Sequence, residues 1–159
     1  MAKDSGSPVS GQPLGVDELS ERLRSRGLRV TGPRLIVYNA LAHQGGHRSA
    51  DEVAVSITAA GPSLPRTSVY NALKALVDAG LIDVVDAGPG TTLYEVRGES
   101  HHHFICRQCN ALIDVPSDST VDGSLLSEVP GATVESAQVI LRGLCPECTQ
   151  RSKARAKSG

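Results

Sequence analysis

The sequence predicts an α+β chain: an N-terminal winged helix-turn-helix domain followed by a small C-terminal α/β domain. Three observations carry this. Four helical periodicities run into a hairpin signal between residues 16 and 97. Beyond them lie two Cys-x-x-Cys pairs, Cys106/Cys109 and Cys145/Cys148. And 159 residues divided in two leave each part a thin core, so the smaller part needs a staple or a partner. The expected organisation is a flexible leader (1–15), a winged-helix domain (16–97), a second domain (98–149) and a solvated basic tail (150–159).

In chain order, the first helix spans about 16–26, with Val16, Leu19 and Leu23 on one face. The second starts after Thr31 as N-cap, with Pro33 in its first turn and Ile36, Val37, Ala40 and Leu41 at helical spacing. The third covers Ala50 to Ala60. Ser49 and Glu52 form a capping box at its start, and Gly61-Pro62 stops it. The fourth begins near Arg66 and ends at Gly80, burying Val69, Leu73, Leu76 and Val77. A second stripe on it (Thr67, Tyr70, Asn71, Lys74) is polar and largely short-chained, as a groove-reading face requires. Leu81–Val85 and Thr92–Val96 then read as strands joined through Ala87-Gly88-Pro89-Gly90. Helices followed at once by a hairpin describe a winged helix. The competing reading is a small helical domain whose fourth helix packs symmetrically.

Composition bounds the function. The net charge of −1 argues nothing for nucleic acid by itself. Its distribution says more: Arg22, Arg24, Arg26, Arg29 and Arg34 fall within 13 residues, opposed only by Glu21. A local basic cluster suffices for phosphate contacts, although a solvated helix face has the same composition. Aromatics are 3%, with no Trp and a single Phe, Phe104, so the core is aliphatic. The leader has no apolar centre and no run of 18 apolar residues occurs, so the expected location is the cytoplasm. In a reducing compartment, paired cysteines more often bind metal or do redox work than form structural disulfides.

Two Cys-x-x-Cys pairs separated by 36 residues have the spacing of a four-thiolate zinc site. Such a site has no open position and is structural. The alternatives are two dithiol redox pairs or four unrelated buried cysteines. The histidines His101, His102 and His103 enter a strand, which places His101 and His103 on one face and His102 on the other. Two imidazoles on one face are half a metal site. His47, Glu95 and Asp114 are candidates to complete it, and each also has a plain reading as a loop or surface residue.

The combination resembles the ferric uptake regulator family. The matching stretches are GLRVTGPR (27–34), RTSVYNAL (66–73), SHHHFICRQC (100–109), IDV (113–115) and GLCPEC (143–148). They cover nearly all of residues 16–149 in family order. The resemblance implies a DNA-binding winged helix, a hinge and an α/β dimerisation domain. It implies structural Zn2+ on Cys106, Cys109, Cys145 and Cys148. It also implies a regulatory divalent metal on His47, Glu95, His101, His103 and Asp114, with Fe2+ or Mn2+ expected and Zn2+ able to occupy the site in vitro. A closed arrangement favoured by the metal would space the two recognition helices of a homodimer on double-stranded DNA. Arg66, Thr67, Ser68, Tyr70, Asn71 and Lys74 are then the DNA-reading residues, and Arg29 and Arg34 touch backbone or minor groove.

A further metal site common in the family would fall on Ser100, Val121 and Ala137, with only His102 able to ligate, so it is expected to be absent. That pattern, with Asn71 after Tyr70, resembles the peroxide-sensing branch and the mycobacterial-type regulators found beside catalase-peroxidase genes. Glu95 departs from it, because the best-known peroxide sensors carry Asp there. This weighs against sensing by histidine oxidation and leaves thiol oxidation at the zinc site as another route. The expected function is a metal-dependent repressor of oxidative-stress or iron-homeostasis genes, and not an enzyme. A hydrolase or deaminase would need an open zinc position and a His-x-Glu motif that the chain lacks. The alternatives are a zinc- or nickel-responsive regulator of the same family, and a metal-buffering protein that does not bind DNA.

Overall fold

The computed structural model describes residues 13–61, 63–117, 129–133 and 138–156. The readings placed on residues 1–12, Pro62, Val121, Ala137 and Lys157 lie outside the described residues. The chain divides after Glu99 into two compact units.

The first unit is a winged helix. Helix α1 (Val16–Ser25) is followed by α2 (Gly32–Gln44), the two-residue strand β1 (Arg48–Ser49), α3 (Ala50–Ala59) and α4 (Arg66–Asp78). The wing is β2 (Ile82–Gly88) and β3 (Thr91–Val96). These strands form an antiparallel sheet of order β1-β3-β2, in which Arg48 lies opposite Tyr94 and Asp83 opposite Glu95. Strand β1 is too short to leave a sequence signal, yet it ties the start of α3 to the wing.

The core joins one face of every helix: Leu19 and Leu23, Val37, Tyr38 and Leu41, Val53 and Ile57, and Val69, Leu73 and Leu76, closed by Ile82 from the wing. Two expected core positions differ. Val16 is 54% exposed, because Gly15 is the N-cap and the first turn of α1 overhangs the core. Val77 is only half-buried, and Ala72 completes the stripe of α4. The capping box at Ser49 forms in full: Glu52 N–H donates to Ser49 Oγ at 3.2 Å and Ser49 N–H to Glu52 at 2.8 Å. Thr31 occupies the N-cap of α2 but makes no side-chain capping bond.

Helix α4 ends in a Schellman turn. Leu81 N–H donates to Leu76 O and Gly80 N–H to Val77 O, which requires the left-handed φ of +62° at Gly80. This glycine fixes the direction in which the chain leaves the helix for the wing.

In the second unit, β4 (His101–Cys106) is central, with β5 (Leu112–Pro116) antiparallel on one side and β6 (Ile140–Gly143) parallel on the other. Helix α5 (Pro146–Ala156) closes the described chain. Residues 150–156 of the expected basic tail continue this helix, and residues 151–156 are exposed along it. Its few apolar residues hid it from a periodicity argument. Pro146 suits a first helical turn, and Lys153 and Arg155 in the last turn complement the helix dipole. One core cluster of this unit is Cys106, Ala111, Cys145 and Cys148, with Phe104, Ile113 and Leu144 packed around it. Phe104 lies so close to Gly143 that a Cβ there would stand 3.2 Å from its ring.

Candidate metal centres and DNA-reading face

The four cysteines converge. Cys106 ends β4, Cys109 sits in the turn that follows, Cys145 precedes α5 and Cys148 lies in its first turns. The turn is a tight knuckle in which Cys106 N–H donates to Ala111 O and Asn110 N–H to Cys106 O. Asn110 takes a left-handed φ of 57°, which a short polar side chain tolerates.

All four are free thiols with sulfurs within 4.8 Å of one another, and Cys109 Sγ is 3.7 Å from Cys145 Sγ. A tetrahedral zinc with Zn–S bonds of ~2.3 Å sets its sulfurs ~3.8 Å apart, whereas a disulfide needs about 2 Å. The arrangement thus fits a zinc held by four thiolates. The backbone N–H of Cys145 donates to Cys106 Sγ at 3.3 Å and draws that thiol down to about 6, while burial pushes Cys148 up to about 12. Arg151 Nη2 donates to Cys148 Sγ at 3.2 Å, a contact the tail reading had not foreseen.

The expected regulatory ligands are distributed over both units. In the first, His47 Nε2 lies 3.1 Å from Glu95 Oε2, with the residues 7% and 1% exposed. Leu93 and Glu95 are the alternate inward positions of β3, so the strand's own periodicity buries the carboxylate. His47 lies in the loop between α2 and β1, as its plain reading had it, but is buried there, and Glu95 is not the solvent-facing residue of its plain reading. A carboxylate removed from water is costly unless paired or coordinated. Imidazole and carboxylate together suit a first-row divalent ion.

In the second unit, the rings of His101 and His103 meet edge-to-face with centroids 4.7 Å apart. His103 lies opposite Asp114 across β4 and β5 and is 1% exposed, and Asp114 is half-buried. His102, on the other face of β4, is buried as well.

On α4, Arg66, Thr67, Tyr70, Asn71 and Lys74 are exposed and Ser68 is half-buried. Tyr70 is 45% exposed, high for an aromatic in a chain with so few. A groove of about 210 Å³ brings Arg34 beside Ser68 and Asn71. Arg29 is exposed, and its carbonyl accepts from Arg34. Two other members of the arginine cluster make contacts within the protein. Arg26 donates to the carbonyl of Ala79 at the end of α4, and Arg22 pairs with Glu18 at 2.9 Å.

Asp51 is the residue that sequence reasoning missed. It lies in the first turn of α3, where acidic residues are ordinary. Its carboxylate accepts from both Arg66 and Tyr70. No local pattern announces contacts 15 and 19 residues away.

The sequence profile of the "Ferric uptake regulator family" matches residues 25–141. The transcriptional regulator FurA of Mycobacterium tuberculosis is 34% identical over 146 residues, which cover 89% of this chain and 97% of that protein. The peroxide operon regulator of Bacillus subtilis is 26% identical over 136 residues, covering 84% and 93%. Among solved structures, the Helicobacter pylori ferric uptake regulator Fur, described with three functional metal binding sites, superposes with a TM-score of 0.68. It is 26% identical and covers 84% of this chain and 91% of its own.

Proposed function

The chain belongs to the ferric uptake regulator family, and from that premise we propose that it is a homodimeric, sequence-specific DNA-binding repressor whose affinity for its operator depends on a regulatory divalent ion. It is a metalloregulator of transcription and not an enzyme. Zinc on Cys106, Cys109, Cys145 and Cys148 holds the second unit together. Fe2+ or Mn2+ on His47, Glu95, His101, His103 and Asp114 is the signal. Arg66, Thr67, Ser68, Tyr70, Asn71 and Lys74 read the DNA, with Arg29 and Arg34 on its backbone.

The observation that carries this reading is the buried His47–Glu95 pair. It puts an imidazole and a carboxylate, donors that suit a divalent ion, inside the unit that carries α4. An ion held there and by the histidines of the second unit would fix the hinge at one angle. Because the ion would bind that angle best, ion and operator would raise each other's affinity by the same factor. The regulated genes we propose are those of oxidative-stress defence, such as catalase-peroxidase, and of iron homeostasis. The likeness to FurA and to the peroxide operon regulator supports that choice.

The test is a gel shift on the chain's own promoter, with the metal-free regulatory site and after loading with Mn2+, Fe2+, Ni2+ or Zn2+, before and after peroxide. Binding that requires Mn2+ or Fe2+ and is lost on oxidation establishes a redox-responsive repressor. Binding with Zn2+ or Ni2+ alone reassigns the effector. No binding under any condition leaves a metal-buffering protein. Tyr70→Ala should abolish operator selectivity while zinc content and dimer mass stay unchanged.

A further inference from the structure

Asp51 lies at the entrance of the groove between α4 and the wing. This open cleft of about 440 Å³ is lined by Ser49, Asp51, Tyr70, Thr92 and Tyr94, among others. One oxygen of its carboxylate, Oδ1, accepts from Arg66 Nη2 and from the Tyr70 hydroxyl, the latter at 3.4 Å. Arg66 and Tyr70 are one turn apart on α4. A single anion carried by α3 thus ties down the two longest side chains on the amino-terminal half of the DNA-facing helix.

The arrangement has no ready explanation in stability. The side chains of Arg66 and Asp51 are 65% and 58% exposed, and ion pairs that wet contribute little to folding. A carboxylate is also the wrong charge for a groove that faces phosphates. Both facts make sense if the acid acts on how Arg66 and Tyr70 are used. An untethered arginine on this face would take the nearest phosphate, a contact made on any sequence. A guanidinium already held by Asp51 has part of its charge satisfied. Its remaining N–H groups stay in one orientation, which suits a base edge more than a phosphate.

We propose that Asp51 is a specificity-determining positioning residue: it withholds Arg66 and Tyr70 from the DNA backbone and orients them for base readout. The inference rests on the proposed DNA-reading role of α4.

The experiment uses the full chain loaded with zinc and Mn2+. A duplex is selected from a random library by the wild-type protein, and a scrambled duplex of the same composition serves as reference. Affinity for both is measured across a salt series by fluorescence anisotropy. Asp51→Asn keeps the shape and removes the charge. It is expected to bind the scrambled duplex more tightly. Its slope of log K against log salt should be steeper by about one, the signature of one extra phosphate contact. Its ratio of selected to scrambled affinity should fall roughly tenfold, the loss of one good base contact. Asp51→Glu should keep most of the wild-type ratio. In an Arg66→Met, Tyr70→Phe background, where both partners of Asp51 are gone, Asp51→Asn should change neither slope nor ratio.

An unchanged slope and ratio in Asp51→Asn overturns the inference, as does an effect that persists when Arg66 and Tyr70 are both replaced. If the wild-type protein selects no sequence at all, the DNA-binding reading fails and takes the inference with it. That outcome is visible before any variant is made.

Discussion

Replacing Gly80 by alanine tests whether the exit of α4 is set by backbone conformation. Gly80 has φ +62°, and a left-handed L-residue costs roughly 1–2 kcal/mol. A Cβ would also stand 2.8 Å from Arg26 Nη1 and 2.9 Å from Arg97 Nη1. Both are ends of flexible side chains and can move aside, but not without disturbing their bonds. Arg26 donates to the carbonyl of Ala79, and Arg97 grips Asp83 with Nε at 2.9 Å. The Arg97–Asp83 pair is partly exposed, at 48% and 31%, so its loosening adds only a few tenths of a kcal/mol.

The expected total is about 2 kcal/mol. For a unit of this size that lowers Tm by on the order of 10 °C. The assay is thermal and urea unfolding of the zinc-loaded chain, followed by far-ultraviolet circular dichroism. Gly80→Asn supplies the internal check, because asparagine enters the left-handed region more easily and should lose about half as much. A Gly80→Ala protein within about 0.5 kcal/mol of wild type, a surface-substitution effect, would refute the reasoning. So would asparagine proving no better than alanine.

Cys145→Ser should leave the chain unable to retain zinc and unfold the second unit while the helical signal of the first persists, read by metal analysis and limited proteolysis. His103→Ala should abolish Mn2+ uptake in calorimetric titration yet keep the zinc content, separating the two centres. Zinc affinity should rise with pH. The ligand is the thiolate, Cys106 loses its proton near 6 and Cys148 holds its own to about 12, so protons compete across that interval. Calorimetry in buffers of different ionisation enthalpy should therefore show proton release on loading at neutral pH, and the affinity should fall more steeply with acidification below about 6, where Cys106 must also lose its proton to bind.

The parts legible in the sequence are those written in local pattern. The capping box at Ser49 and Glu52, the helical period of Leu19 and Leu23 and of Val69, Leu73 and Leu76, and the paired cysteines need only near neighbours to be read. Glu95 was half legible: alternation along β3 puts it on the face of Leu93, but only the fold shows that face to be inward. Helix α5 was missed because its stability draws on Cys148 and Arg151 at a distant cluster, not on an apolar stripe of its own. Counting charges cannot reveal that Arg26 is engaged 53 residues away. Asp51 was illegible for the same reason, since its two partners come from another helix.

The sulfur-built core of the second unit also sets a schedule for making the protein. Cys106 and Cys109 leave the ribosome 39 and 36 residues before Cys145, on the order of a few seconds earlier at ordinary translation speed. During that interval the nascent chain holds half a tetrahedron, able to catch an ion but not to enclose it. Strand β6, which completes the sheet beside β4, and helix α5, which brings Cys148, emerge only after that first pair. Completion of this unit therefore waits on the second pair and on zinc supply. A cell short of zinc would accumulate chains with a finished winged-helix unit and an unfinished second unit, exposed to proteases until the ion arrives.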